Sequence, residues 1–367
     1  MIRLGLFFTY GHGLGTWEER GFLSRELHYY QYLRRHGIET IFFTYDTHES
    51  FQSTVQKEAF PVVVLNSKKN RLSKLWRSFY PEDNLNSIFK KLDLVKTNQM
   101  WGSWSPRRIA KKFQKPFLLR CGFEAYQNSV SQGDSILRQW ILRRESQKSY
   151  SQADRVILTA PSSFNFVKEK FRVDPQRVTI IPNYIDTSTF RDLSDDRSSR
   201  FLFVGRFSQE KNIDLILKAC SHADQSISLI GTGPLLDQMK VLAQALKVDA
   251  RFLGKVPHED LPKVMNQHRA LILYSSYEGN PKVVLEAMAC GLPVIGANVR
   301  GIQDLLEDGM GDLIDPGNLS QLANCILNFK VDQKRLGQVS RAKNKIETHF
   351  SLDAIVKAEK KVISTLV

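Results

Sequence analysis

Short β-branched or aromatic runs alternate along the chain with longer amphipathic stretches. Residues 2–8 (IRLGLFF) have the length and composition of a buried strand, and a glycine-bearing loop, GHGLG at 11–15, follows. From 18 to 37 apolar residues return at helical spacing. The stretch closes on two arginines, a histidine and Gly37, which a helix C-terminus favours. Further strands are predicted at 38–43, 61–65, 116–120, 155–160 and 177–182, and helices near 134–152 and 162–171. Residues 66–115, crowded with lysine, arginine and tryptophan, are the least readable.

A second series starts after the polar stretch 187–200. Strands are predicted in FLFVG (201–205), SISLIG (226–231), ARFLG (250–254), RALILYSS (269–276) and PVIGA (293–297), with helices between them. Strands alternating with helices specify parallel sheets made of right-handed βαβ units. Two such series imply two doubly wound, Rossmann-like α/β domains, facing each other across a cleft. The expected division is residues 1–184, residues 185–350 and a closing amphipathic helix at 351–367. In such sheets ligands bind where the carboxyl ends of strands lead into helix N-termini.

Composition narrows the class. The 367 residues are 42% hydrophobic and 25% charged, which excludes disordered and fibrous proteins. No apolar run reaches the roughly 18–20 residues of a membrane span, and the start does not read as a signal peptide. The four cysteines, at 121, 220, 290 and 325, make no C-x-x-C pair and no zinc pattern, so they read as reduced thiols. The net charge of +14 is unevenly spread. Residues 1–184 hold 29 basic and 16 acidic residues, and residues 185–367 hold 23 and 22. The first half therefore has an electrostatic reason to meet something anionic.

The sharpest chemistry lies in Ser276–Pro293, SYEGNPKVVLEAMACGLP. Asn280 as N-cap, Pro281 at the first helical position and Gly291 as stop predict a helix over 281–290. On a single helix Glu278 and Glu286 would stand ~12 Å apart along the axis. Here Glu278 falls in the loop before the helix and Glu286 in its second turn. The N–H groups of Lys282 and Val283 point out of the helix N-terminus, where a phosphate is favoured. Carboxylates accept hydrogen bonds from hydroxyls, so the pair suits a sugar on one side of a diphosphate and a ribose on the other. A second loop, GRFSQEK at 205–211, sets Arg206 and Lys211 at a strand end, where they can stabilise a leaving diphosphate. The turn Gly231-Thr232-Gly233-Pro234 reads equally as a tight turn or a ligand contact.

The segments GRFSQEKNIDLILKA, LIGTGPLLDQM, RFLGKVPHEDLP, YSSYEGNPKVVLEAMACGLPVIGANVRGIQDLLEDGMGDLIDP and IIPNYIDTSTF resemble the retaining glycosyltransferases of family 4, which have the GT-B fold. The resemblance covers most of 155–320 and is weaker over the first 150 residues. It implies a nucleotide-sugar donor held mainly by the second domain. Arg206 and Lys211 would contact the diphosphate, Glu278 the donor sugar and Glu286 the ribose. Gly279, Asn280 and Pro281 would close on sugar and phosphate, and Lys255 and Val256 would line the base. Gly13 and Gly15 resemble the first-domain glycine loop that approaches the diphosphate. The resemblance implies that catalysis falls to Glu278, Arg206 and Lys211, with no cofactor and no obligate metal; no D-x-D motif is present, as expected for this fold.

Many relatives carry a histidine near the acceptor where this chain reads LRCGFE at 119–124. Either Arg120 or Glu124 takes that role, or another loop does, and His12 is a further candidate. The basic first half would suit a sugar, glycolipid or anionic acceptor, or an anionic membrane face. The tracts 67–80 and 107–115 are the candidates for a membrane. A cytoplasmic protein, peripheral on the inner membrane face and active in cell-surface polysaccharide or glycolipid synthesis, is expected. Two alternatives remain open: a GT-B epimerase or phosphorylase using the same phosphate site, and a basic nucleic-acid-binding protein. For the second no nucleic-acid module is found. A dehydrogenase is disfavoured, because GHGLGTW is not G-x-G-x-x-G at the required spacing.

Overall fold

The computed structural model describes residues 1–11, 13–19, 23–46, 59–65, 78–79, 83–122, 124–193 and 197–367. The chain divides into two compact units. One holds Met1–Ile181 with Val356–Val367, and the other holds Pro182–Ile355. The change of unit thus falls at 181/182 rather than 184/185. The polar stretch from 187 belongs to the second unit, where Phe190 anchors it in the hydrophobic core.

The first unit contains a parallel sheet of seven described strands: β1 (Ile2–Phe7), β2 (Ile38–Thr44), β3 (Val62–Val64), β4 (Leu94–Thr97), β5 (Phe117–Cys121), β6 (Arg155–Leu158) and β7 (Val178–Ile180). Their order is β3-β2-β1-β4-β5-β6-β7. Ile2 pairs with Ile38 and Phe7 with Phe43, and the Phe7 and Phe43 rings stack at 4.4 Å. The second unit repeats the plan with β8 (Phe201–Val204), β9 (Ile227–Ile230), β10 (Ala250–Gly254), β11 (Ala270–Leu273), β12 (Val294–Ala297) and β13 (Asp312–Ile314). Their order is β10-β9-β8-β11-β12-β13, again all parallel. Each sheet reverses direction once, between β1 and β4 and between β8 and β11. At that point the loops of two neighbouring strands open beside each other.

Of the helix expected over 18–37, the described residues show Leu14–Glu19, which begins earlier than expected, and Leu23–Arg35, while residues 20–22 lie outside them. Two strands escaped the periodicity, β4 and β13. β4 lies in the basic stretch and carries a lysine in the middle of its apolar run, while β13 has only three residues. The thiols of Cys121, Cys220 and Cys290 are buried and all four cysteines are free. Among the described residues no helix is long and apolar enough to cross a membrane.

Lys96 of β4 is 1% exposed, and its partner explains why it is tolerated. The last helix, Leu352–Ser364, belongs to the first unit from Val356 onward, and its Glu359, also 1% exposed, forms an ion pair with Lys96. Tyr29 donates its hydroxyl to the second carboxylate oxygen at 2.7 Å. The Tyr29 and Tyr30 rings lie 5.9 Å from the ammonium group. Burial alone would push the Glu359 carboxyl up, but Lys96 and the Tyr29 hydroxyl hold it below its usual range. The pair therefore fastens the chain terminus to the first sheet.

Removing one partner strands a buried charge and typically costs about 3–5 kcal/mol. Glu359→Ala should lower the denaturation midpoint accordingly, and Lys96→Met combined with Glu359→Leu should restore most of the loss. Because the folded carboxyl has the lower pKa, its contribution is complete above the unfolded carboxylate pKa. It fades as pH falls through the folded value. Acid unfolding of Glu359→Gln should lack that component. A wild-type midpoint in the single variant would remove the fastening role.

Candidate donor site

The site is assembled at the switch point of the second sheet. β8 leads through Gly205–Ser208 into a 3₁₀ turn, Gln209–Lys211, and then the helix Ile213–His222. Asn212 at the junction adopts φ +48° and donates its side-chain amide to the Tyr274 carbonyl at 3.0 Å. Tyr274 immediately follows β11. The next residues are tied the same way, with the Ser276 N–H donating to the Glu210 carbonyl at 2.8 Å. Two loops far apart in sequence are thereby sewn into one surface.

The Gly231–Pro234 turn supports this surface. The Phe207 N–H donates to the Thr232 carbonyl, and the Leu235 N–H to the Phe207 carbonyl. A Cβ on Gly231 would lie 1.8 Å from the Gly205 carbonyl oxygen, and one on Gly233 2.4 Å from that of Phe207. Backbone cannot yield as a flexible side chain does, so only glycine fits. The close approach makes this a tight turn, one of its two open readings.

Glu278 lies in the loop after β11, as expected, but it does not stand apart from the cations. Its Oε1 accepts from the Lys211 ammonium at 2.5 Å and from the Ser275 hydroxyl at 2.8 Å. Both side chains of the pair are largely buried. Arg206, by contrast, is exposed on the same loop. The Glu278–Gly279 backbone rests on the helix Arg300–Leu306. A Cβ on Gly301 would come within 2.2 Å of the Gly279 carbonyl oxygen and 2.3 Å of that of Glu278.

The expected cap is absent. The helix runs Lys282–Ala289 with Pro281 in the cap position, in extended backbone and with no side-chain cap bond. Asn280 is otherwise engaged: its side-chain oxygen accepts from the Asn183 N–H at 3.0 Å and its carbonyl accepts from the Asn183 amide at 2.8 Å. Asn280 therefore pins the loop to the segment entering the second unit. The Lys282 ammonium lies 5.5 Å from the Tyr184 ring, so that segment touches the loop twice. Val283 packs against the core.

Glu286 is buried in the second turn, and its Oε1 is 2.9 Å from His258 Nε2. The His258 ring in turn lies on Phe190, with centroids 4.9 Å apart. Lys255 and Val256 occupy the loop that follows Gly254 at the end of β10, and Val256 packs against the core. Sequence reasoning missed four members of this assembly: Asn183, His258, Ser275 and Gly301. The signal for the histidine was its place in RFLGKVPHEDLP, on a βα loop at the carboxyl edge of the sheet.

In the first unit the candidates are less open. The glycine loop ends sooner than expected, because Gly15 is already within the helix Leu14–Glu19. The Gly15 N–H donates to the Asp46 carboxylate at 3.0 Å, and a Cβ on Gly13 would meet that carboxylate at 2.0 Å. His12 lies outside the described residues. Glu124 is buried and acts as a helix cap: it accepts from the Gln127 N–H and from the Ser146 hydroxyl, each at 2.6 Å. Burial pushes its carboxyl up, and those two bonds act the other way. Arg120 lies on β5, where Thr97 bridges its backbone N–H and carbonyl. Of the two basic tracts, residues 67–77 and 80 lie outside the described residues. In the other, Arg107 is turned inward to Glu145 at 2.7 Å.

Two family models match the chain. Glycosyltransferase Family 4 matches residues 27–189, and Glycosyl transferases group 1 matches residues 185–346. The two matches follow one another along the chain, and its fold is GT-B. Among curated relatives, the UDP-Gal:alpha-D-GlcNAc-diphosphoundecaprenol alpha-1,3-galactosyltransferase of Escherichia coli is 28% identical over 208 residues, 51% of this chain and 53% of that one. The D-inositol 3-phosphate glycosyltransferase of Mycobacterium sp. (strain KMS) is 28% identical over 199 residues, 49% of this chain and 45% of that one. The aligned region thus spans about half the length of these relatives. Among solved structures, Anabaena HepE in complex with UDP and glucose covers 100% of both chains with a TM-score of 0.79 and 18% identity. Sucrose-phosphate synthase from Thermosynechococcus elongatus gives 0.81 and 19%, covering 100% of this chain and 99% of that one. These likenesses establish the fold.

Gly301→Ala should displace the Glu278–Gly279 loop while leaving the core intact. Amide hydrogen exchange at Ser276, whose N–H bonds the Glu210 carbonyl, should speed up at least about tenfold, with the unfolding free energy within about 1 kcal/mol of wild type. Unchanged exchange would show that the close approach does not hold the loop.

Proposed function

We propose that the protein is a retaining glycosyltransferase that moves a sugar from a nucleotide-diphosphate sugar to an acceptor hydroxyl, in cell-surface polysaccharide or glycolipid synthesis. The observation that carries this reading is the convergence of Arg206, Lys211, Glu278 and the start of the helix Lys282–Ala289 at one switch point. Cations and helix N–H groups suit a diphosphate, and carboxylates at either side suit hydroxyls. The two domain matches and the glycosyltransferase relatives support the same class.

In this reading Arg206 and Lys211 stabilise the charge that grows on the departing diphosphate, and the first helical turn adds its dipole. Glu278 receives hydroxyls of the donor sugar. Glu286, oriented by His258, receives the ribose. Gly279, Asn280 and Pro281 close on the sugar and phosphate, and Lys255 and Val256 line the base. The departing phosphate helps deprotonate the acceptor on the same face of the sugar, which retains the anomeric configuration. The protein then needs no strong base and no obligate metal, because its contribution is position and charge. The basic first unit is assigned the acceptor, with His12, Arg120 and Glu124 as the acceptor-side candidates, while Gly13 and Gly15 are assigned to the donor diphosphate.

The test is a panel of nucleotide sugars read by released nucleotide, followed by the anomeric configuration of the product. Arg206→Ala and Lys211→Ala should each lower kcat by about 10²-fold or more, in line with loss of a charge-stabilising donor. Glu286→Ala should instead raise the donor KM by about tenfold, the cost of one hydrogen bond to a charged group. Near-normal kinetics for all three would contradict the site. Turnover without an added acceptor, or dependence on inorganic phosphate, would favour an epimerase or phosphorylase.

A further inference from the structure

The helix Ile136–Gln152 of the first unit is docked by one face and uncovered on the other. Leu142, Ser146, Ser149 and Tyr150 are buried. On the outer face Ile136 is 86% exposed, Leu137 69%, Trp140 54% and Ile141 45%. The spacing i, i+1, i+4, i+5 gathers these four side chains into one patch over the first turns of the helix. Soluble surfaces rarely group large apolar side chains this way without a use for them.

The second half of the same helix is basic. Arg143, Arg144 and Lys148 are exposed, and Arg144 reaches back over the Trp140 ring at 5.3 Å. Arg138 borders the patch and is paired with Asp134. The helix has one acid, Glu145, and it is turned inward to Arg107. The centres of the apolar and basic halves lie ~10 Å apart along the axis. An apolar end beside a cationic end, with tryptophan at the join, matches the depth profile of a bilayer surface, where acyl chains underlie anionic headgroups.

The geometry points to this helix as an interfacial membrane-docking element for anionic bilayers. Its amino-terminal turns enter the headgroup–acyl boundary, and Arg143, Arg144 and Lys148 hold the headgroups. A second copy of the chain is a poorer occupant, because a two-fold contact centred on the apolar turns would leave the basic half without an anionic partner. The inference adds this helix to the basic tracts 67–80 and 107–115 as a place of membrane contact. It stands on the surface itself and does not depend on the donor-site reading.

Flotation of the full chain with phosphatidylglycerol–phosphatidylcholine vesicles, against pure phosphatidylcholine, tests it. Wild type should float with the anionic vesicles and show a blue-shifted tryptophan emission. Leu137→Ser combined with Trp140→Ser should reduce partitioning at least about tenfold, given the apolar area lost from insertion. Far-UV circular dichroism should remain that of wild type, since both side chains are exposed. Arg144→Gln and Lys148→Gln should each weaken anionic binding about fivefold. Trp140→Phe should keep flotation and lose the emission shift, a readout independent of the serine pair. Unchanged flotation of the folded serine pair, equal flotation on both vesicle types, or a dimer in sedimentation velocity that the serine pair dissociates would each overturn the proposal.

Discussion

Everything at the candidate site depends on β8 and β11 being neighbours. Lys211 and Glu278 are 67 residues apart, yet they meet because each follows one of these two strands. Parallel pairing fixes where both loops leave the sheet. Asn212 and Ser276 then bind the loops to each other through main-chain carbonyls. Three glycines allow the backbones to approach closely enough for this to happen. Any residue with a side chain at Gly231 or Gly301 would force main chain apart, and the ion pair would separate with it.

Much of this was legible in the chain. Buried strands such as FLFV and ALIL announce themselves by composition, and loops placed directly after them inherit a position at the sheet edge. Glu278 and Glu286 were placed before and within a helix by the signals of Asn280, Pro281 and Gly291. What stayed hidden were relationships set by the third dimension. Pairing of Lys211 with Glu278 needs the strand order, and periodicity does not reveal strand order. The cap at Asn280 failed because Asn183, almost a hundred residues away, occupies its side-chain oxygen. β4 was obscured by Lys96, whose charge reads as exposed until Glu359 of the last helix is known to meet it.

The uneven charge has a similar lesson. An excess of lysine and arginine in the first half says that anions are attracted, but not where. Arg107 is spent on Glu145 inside the fold, and that internal pairing is what turns the only acid of the helix Ile136–Gln152 away from solvent. The outer face is left cationic at one end and apolar at the other. Sequence periodicity could not separate these faces, because two serines and a tyrosine join Leu142 on the buried side while leucine, isoleucine and tryptophan cover the exposed one. The usual rule that apolar residues mark the inner face is inverted over these turns.

Both units also keep their anion-binding groups occupied by carboxylates of the chain itself. In the second, Glu278 holds the Lys211 ammonium, and in the first, Asp46 holds the Gly15 N–H. On the proposed reading a diphosphate arriving beside Lys211 exchanges one anion for another of higher charge. One ion pair is broken as another forms, and the ammonium is already desolvated and already oriented. On the proposed reading the released Glu278 carboxylate is left beside the sugar, where hydroxyl groups can replace the lost ammonium contact. On that reading the ion pair keeps both groups satisfied before the donor arrives and hands each a new partner when it does.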